Sequence, residues 1–332
     1  MSAGTVLPAL EKALEHRVAF FDERHESAFR LFNGFTEGNP DLVVDLYAAT
    51  LVLHNYAEDP GQGRLLVDEA SAFLKKELDW LRAGIVKTRF APSPADKRGH
   101  LLFGQSPDRK IREHGIWYAI DLTMNRDASF YLDTGNLRKR LIDNTHAKTV
   151  LNTFAYTGSL GLAAVAGGAK RVIQHDLNRQ FLNLAKTSYT LNGFSINRRD
   201  FVTTDFFTLV SQLKRAGETF DCVIVDPPFF SITSKGKVDQ VRESARLINK
   251  VRPLVNDGGM LIAINNALYL SGADYIHTLD ELCQDGYMKI KELIPVPENF
   301  IGYNPGYLSI TDPAPFNHST KMAILEVKRK SQ

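Results

Sequence analysis

Cysteine is scarce in this chain: 332 residues contain two, Cys222 and Cys283. Their spacing offers neither a metal-ligand pair nor a disulfide framework. Both read as reduced thiols, which points to a cytoplasmic setting. No apolar run approaches the ~20 residues that span a bilayer. The opening stretch MSAGTVLPALEKALEHR lacks the basic-then-apolar order of a signal peptide. Internal repeats and low-complexity segments are missing. The GxGxxG dinucleotide fingerprint is missing too, which argues against a pyrophosphate-bearing cofactor. Nor does one sign of charge dominate. Lys and Arg number 40 against 38 Asp and Glu, a net charge of +2, so charge alone does not mark a polyanion binder.

What is present is an ordinary soluble composition, 44% hydrophobic and 23% charged. The length suits two domains, or one large domain with an appendage. Charge is uneven. Residues 86–114 hold Lys87, Arg89, Lys97, Arg98, Arg109, Lys110 and Arg112 against only Asp96, Asp108 and Glu113. Arg138, Lys139 and Arg140 form a second cluster. Each is either a solvated surface or a phosphate-contacting face.

Leu7, Leu10, Leu14, Val18 and Phe21 recur at helical steps, which predicts a helix across residues 5–31. NGFTEGNPD breaks it. LVVDLYAATLVLHNY reads as a hairpin turning at Ala48 and Ala49, and GRLLVDEASAFLKKELDWL as a helix. Residues 89–109 are rich in Pro, Gly and basic residues and read as a loop or linker. The division expected is an α+β domain over 1–110 and a second domain over 111–332. IWYAIDL and SFYLD look like strands. Beyond them, apolar runs alternate with helical stretches: TVLNTF with SLGLAAVAGG, RVIQHD with NRQFLNLAKTSYTLNG, CVIVD with VRESARLINKVRPLV, then MLIAIN. Strands apolar on both faces predict a parallel sheet covered by helices. MKIKELIPVP and TKMAILEVKRK add two more strands.

In such sheets ligands lie beyond the carboxyl ends of the strands. The first ends in NTFAYTGSLG, where Gly158 and Gly161 permit a tight turn. The next ends in Asp176, 18 residues past Gly158, an offset at which an acid accepts from ribose hydroxyls. RRDFVTTDFF ends at Asp205, followed by Phe206, a pair suited to an adenine amino group and ring. CVIVD ends at Asp226, and Pro227 and Pro228 stop the strand because they offer no N–H. Each acid alone is also a good helix cap. Together they describe an adenosine-shaped site without a pyrophosphate cradle, which S-adenosylmethionine fits.

VLNTFAYTGSLGLAAVAGGA, VIQHDLNRQFLNLAKTSYTLNG, TTDFF and FDCVIVDPPFFS resemble class I S-adenosylmethionine-dependent methyltransferases. Within them the chain is similar to bacterial 23S rRNA base methyltransferases, both the guanine-N7 module and the PUA-containing cytosine-C5 enzymes. SFYLDTGNLRKRL and RLFNGFTEGNPDLVVDLYAATLVLHNY extend the likeness over most of residues 29–330. The resemblance implies a Rossmann-like sheet of seven strands, one of them antiparallel, and ribosomal RNA as partner. It implies that Asn152, Phe154, Tyr156, Thr157 and Gly158 surround the methionine end of the cofactor. Asp176 would hold the ribose, Asp205 and Phe206 the adenine, and Asp133 of YLD would lie close by. Asp226, Pro227, Pro228 and Phe229 would line the pocket between cofactor and base. Gly135 stands where the family usually has arginine.

Carbon-5 of a pyrimidine needs a cysteine adduct before it can attack. Such a thiol would follow Pro228 or the next strand, where Phe229 and INNAL stand instead. A base nitrogen needs no covalent catalyst, only a flipped, stacked base. The reading is therefore N-methylation, at a ring nitrogen or an exocyclic amine, with S-adenosylhomocysteine as product. Two alternatives stay open: a methyltransferase for a small molecule or protein, and a noncatalytic module binding S-adenosylmethionine or RNA.

Overall fold

The computed structural model describes residues 5–233, 235–303 and 313–329. Packing divides the chain into two units: Met1–Leu132 with Pro297–Ser309, and Asp133–Val296 with Ile310–Gln332.

The first unit contains α1 (Leu7–Arg17), β1 (Ala28–Asn33), α2 (Gly34–Glu37), β2 (Leu42–Tyr47), β3 (Thr50–Asn55) and α3 (Pro60–Glu77). These are followed by β4 (Ala83–Thr88), α4 (Pro94–Arg98), β5 (His100–Phe103), β6 (Lys110–Glu113) and β7 (Ile116–Ala119). One sheet runs β1-β2-β3-β4-β5, antiparallel except for the β3–β4 pair. The helix predicted over 5–31 stops at Arg17. Val18 is 68% exposed, whereas Phe29 and Leu31 are buried at the two-residue period of β1. The hairpin at Ala48 is as read, but 89–109 holds α4 and β5 as well as loop.

SFYLD is not a strand. Its residues up to Leu132 belong to the first unit: the Tyr47 hydroxyl donates to the Phe130 carbonyl at 3.0 Å, and the Tyr118 and Phe130 rings lie 4.9 Å apart. Packing therefore places the division after Leu132, later than the expected 110/111, because 111–132 stay with the N-terminal sheet.

The second unit contains α5 (Gly135–Asn144), β8 (Thr149–Thr153), α6 (Ser159–Ala166), β9 (Arg171–His175), α7 (Arg179–Leu191), β10 (Phe201–Val202) and α8 (Phe206–Arg215). β11 (Phe220–Val225), β12 (Phe230–Thr233), β13 (Gly236–Asp239), α9 (Gln240–Val251) and β14 (Val255–Asn265) follow. α10 (Gly272–Cys283), β15 (Met288–Ile294) and β16 (Lys321–Val327) complete it. The sheet order is β10-β9-β8-β11-β14-β16-β15, with β16 antiparallel to both neighbours. Leu151, Val223, Leu261 and Ala323 are buried along its centre, so these strands read as apolar runs. The chain winds outward in both directions from β8 and β11. This is the switch point, where a crevice opens at the carboxyl edge.

Candidate active site

At that edge β8 runs into the turn Phe154–Gly158. Phe154 (φ 55°), Tyr156 (φ 52°) and Gly158 (φ 77°) are all left-handed. The first two are costly for residues with a side chain, and persist only when their surroundings hold them. The Ala155 N–H donates to the His175 carbonyl at 2.7 Å, and the Tyr156 N–H to Asp176 Oδ2 at 2.8 Å. Gly158 has no room for a side chain, since a Cβ would lie 2.6 Å from that of Ala185.

A buried amide pair props the turn from below. Asn152 Nδ2 donates to Gln174 Oε1 at 2.9 Å, and Gln174 Nε2 donates to the Gly158 carbonyl at 3.0 Å. Gly161 makes room for that amide, because a Cβ there would lie 2.3 Å from Gln174 Nε2. Asn152 Oδ1 is buried and accepts nothing. Thr157 is buried in the same turn.

Asp176 follows β9 directly. Burial raises its pKa, while the Asn178 and Tyr156 N–H groups pull the other way. Its oxygens keep spare lone pairs beside the turn. Asp205 caps α8, accepting from the Phe207 and Thr208 N–H groups at 2.9 and 3.2 Å. The Phe206 ring is 4% exposed and stacks under Phe154 with centroids 4.6 Å apart.

Asp226 ends β11. Burial, and secondarily the charge of Asp133, push its carboxyl up to about 7. Asp133 Oδ2 accepts from the Thr320 hydroxyl at 2.7 Å, and Asp133 Oδ1 is buried without a partner. Neither acid forms an ion pair among the described residues. Two such carboxylates, together with the orphaned Asn152 oxygen, fit a ligand that brings its own positive charge.

Beyond the prolines, Phe229 is 49% exposed. Gln240, which sequence reasoning missed, ties this edge together. Its Nε2 donates to the Pro227 carbonyl, its backbone N–H to the Phe229 carbonyl at 3.1 Å, and its Oε1 accepts from the Asn266 N–H at 3.0 Å. Its local pattern carries no signal, because each partner is remote in sequence. The paired asparagines divide their roles. Asn265 is fully buried and spent on Gln240, Ser244 and Ala267, so only Asn266 lies toward the edge.

Thiols are elsewhere. Cys222 is fully buried in β11, and burial pushes it up to about 12. Cys283 sits in α10, also raised by burial. No cluster of metal-ligating side chains occurs among the described residues, and no described helix is long and apolar enough to cross a membrane.

A seven-stranded sheet with one reversed strand, a glycine turn at the switch point and acids at successive strand ends define a methyltransferase-type α/β fold. Residues 53–305 match the family model for S-adenosylmethionine-dependent methyltransferases, and the chain belongs to that family. S-adenosylmethionine is accordingly its cofactor.

The chain is 30% identical over 259 residues to ribosomal RNA large subunit methyltransferase I of Aeromonas salmonicida, covering 77% of this chain and 65% of that protein. The Vibrio cholerae protein of the same name is 31% identical over 71% of this chain and 60% of its own length. The chain thus spans less than two thirds of the curated relatives it matches. A solved structure from Streptococcus mutans, assigned as a sam-dependent methyltransferase, superposes with TM-score 0.84 at 22% identity, over 98% of this chain and 83% of that one. A chain assigned as a methyltransferase and complexed with SAH matches with the same values.

Proposed function

We propose that this chain transfers a methyl group to a nitrogen of a base in RNA, ribosomal RNA of the large subunit. One observation carries the reading: among the described residues the strand edge offers two neighbouring carboxylates without an ion-pair partner, a half-exposed phenylalanine and no thiol. The names of the relatives supply the RNA.

S-adenosylmethionine supplies a sulfonium-bound methyl group with a neutral thioether as leaving group. The protein's task is therefore alignment. Asn152, Phe154, Tyr156, Thr157 and Gly158 surround the methionine end, with Asp133 holding positive charge. Asp176 accepts the ribose hydroxyls, and Asp205 and Phe206 bound the adenine end. On the substrate side an extruded base lies against Phe229. Asp226 and the remaining lone pair of the Pro227 carbonyl accept from its amino group, and Pro228 fixes the backbone between them. A ring nitrogen attacks through its lone pair and loses no proton. An exocyclic amine loses one, which the Asp226 carboxylate is placed to take.

Attack from carbon-5 of cytosine would require a thiol at this edge. The two cysteines of the chain lie within β11 and on α10. Incubation with labelled S-adenosylmethionine and protein-free large-subunit rRNA tests the reading. Label in RNA supports it. Label only in protein or small molecules, or none at all, overturns it.

A further inference from the structure

The ribbon β12–β13 departs from the usual disposition of an antiparallel pair, which buries its apolar face and wets its polar one. Its register places Phe230, Ile232, Lys237 and Asp239 on one face and Ser231 and Val238 on the other. The Val238 face is seated on the core. Val238 is 3% exposed, and a Cβ on Gly236 would lie 2.3 Å from the Phe207 ring. Yet the opposite face turns Phe230 (50%) and Ile232 (70%) to solvent.

The loop after β14, the strand paired in parallel with β11, does the same. Ala267 is fully buried and Leu270 packs against the core, while Leu268 and Tyr269 between them are 68% and 88% exposed. Gln240 fastens the two together, holding the Pro227 and Phe229 carbonyls on one side and the Asn266 N–H on the other. Two anchored segments, following β11 and β14, thus present exposed apolar side chains. Such a patch on a soluble surface marks a binding face.

We infer that this face is a platform for unstacked RNA bases flanking the methylated one, so that the substrate is single-stranded at the site. The inference rests on the RNA reading above. The platform's own chemistry selects this occupant over an apolar protein surface. Its side chains stand separately on two segments, and Lys237, paired with Asp239 on the same face at 3.0 Å, lies over the Phe230 ring at 5.4 Å. Separately standing exposed rings, one with a lysine over it, suit unstacked bases on a phosphate backbone.

The test uses the full chain and two probes, a single-stranded oligoribonucleotide of about 12 nucleotides and its perfect duplex, a length within the range one binding surface covers. Binding is read by fluorescence anisotropy, independently of methyl transfer. The wild type binds the single strand more tightly than the duplex. Ile232→Ser with Tyr269→Ser weakens single-strand binding roughly tenfold or more and leaves the affinity for S-adenosylmethionine unchanged, which also shows that the variant is folded. Equal binding of strand and duplex, or a double variant that binds the strand as the wild type does, overturns the platform even if RNA is methylated. Selective strand binding that the double variant loses, with no methyl group reaching RNA, sustains the platform and overturns the proposed activity instead.

Discussion

Two aspartates, buried Asp45 and half-buried Asp226, one in each unit, differ in a way that separates scaffold from site. Asp45 lies on β2 in the N-terminal sheet. Burial alone would raise its pKa, but Arg30, at 2.8 and 3.2 Å, and His54, at 3.2 Å, hold it well below the ordinary carboxylate range. Asp226 directly follows β11 in the second sheet, forms no ion pair among the described residues, and is raised by burial and by the charge of Asp133. A carboxylate supplied with its own arginine is closed and structural. One set at a strand end without an ion-pair partner among the described residues is a candidate for a ligand to complete.

The strongest way to break this comparison is to remove the closed carboxylate. Asp45→Ala leaves Arg30 buried and unpaired, and denaturant unfolding should report a loss of about 3–5 kcal/mol. A loss below about 1 kcal/mol would put Asp45 in the same class as a surface pair. Asp226→Asn should leave the protein folded, yet lower kcat/KM for methyl transfer roughly 100-fold, or about 2.7 kcal/mol. Gly158→Ala forces a side chain into a left-handed turn against Ala185. It should cost about 1–3 kcal/mol, and calorimetry should show weaker S-adenosylmethionine binding.

The smallest effect is the sharpest in sign. The folded-state pKa of Asp45 is depressed, so its contribution to stability is present above about pH 4 and fades as pH falls further. That of Asp226 is raised to about 7, so its contribution is full below about pH 4 and is lost as pH rises through about 7. Melting without cofactor across this range should therefore show Asp226→Asn gaining Tm over the wild type as pH rises to neutrality, while the same change at Asp45 lowers it. Parallel behaviour of the two variants would erase the distinction.

Much of this was legible in the sequence because strands buried on both faces must be apolar throughout, and a ligand edge must end them. The runs into Asp176 and Asp226 could be read that way. The N-terminal helix was overdrawn because Val18 and Phe21 continue its spacing by coincidence, although Val18 faces solvent. β4 escaped notice because AGIVKT is short and includes Lys87, whose ammonium is buried against the Arg98 and Asn125 carbonyls. Gln240, Gln174 and Thr320 were invisible for a different reason. Each acts through a partner far away in sequence, and no local pattern encodes such a contact.

Identification of the methylated atom tests the central claim most directly, since the proposal of nitrogen over carbon-5 rests on a strand edge without a thiol. Large-subunit rRNA methylated by the purified chain, digested to nucleosides and resolved by mass spectrometry, should yield a base methylated on nitrogen. A 5-methylpyrimidine, or rRNA carrying no added methyl group, would contradict the account.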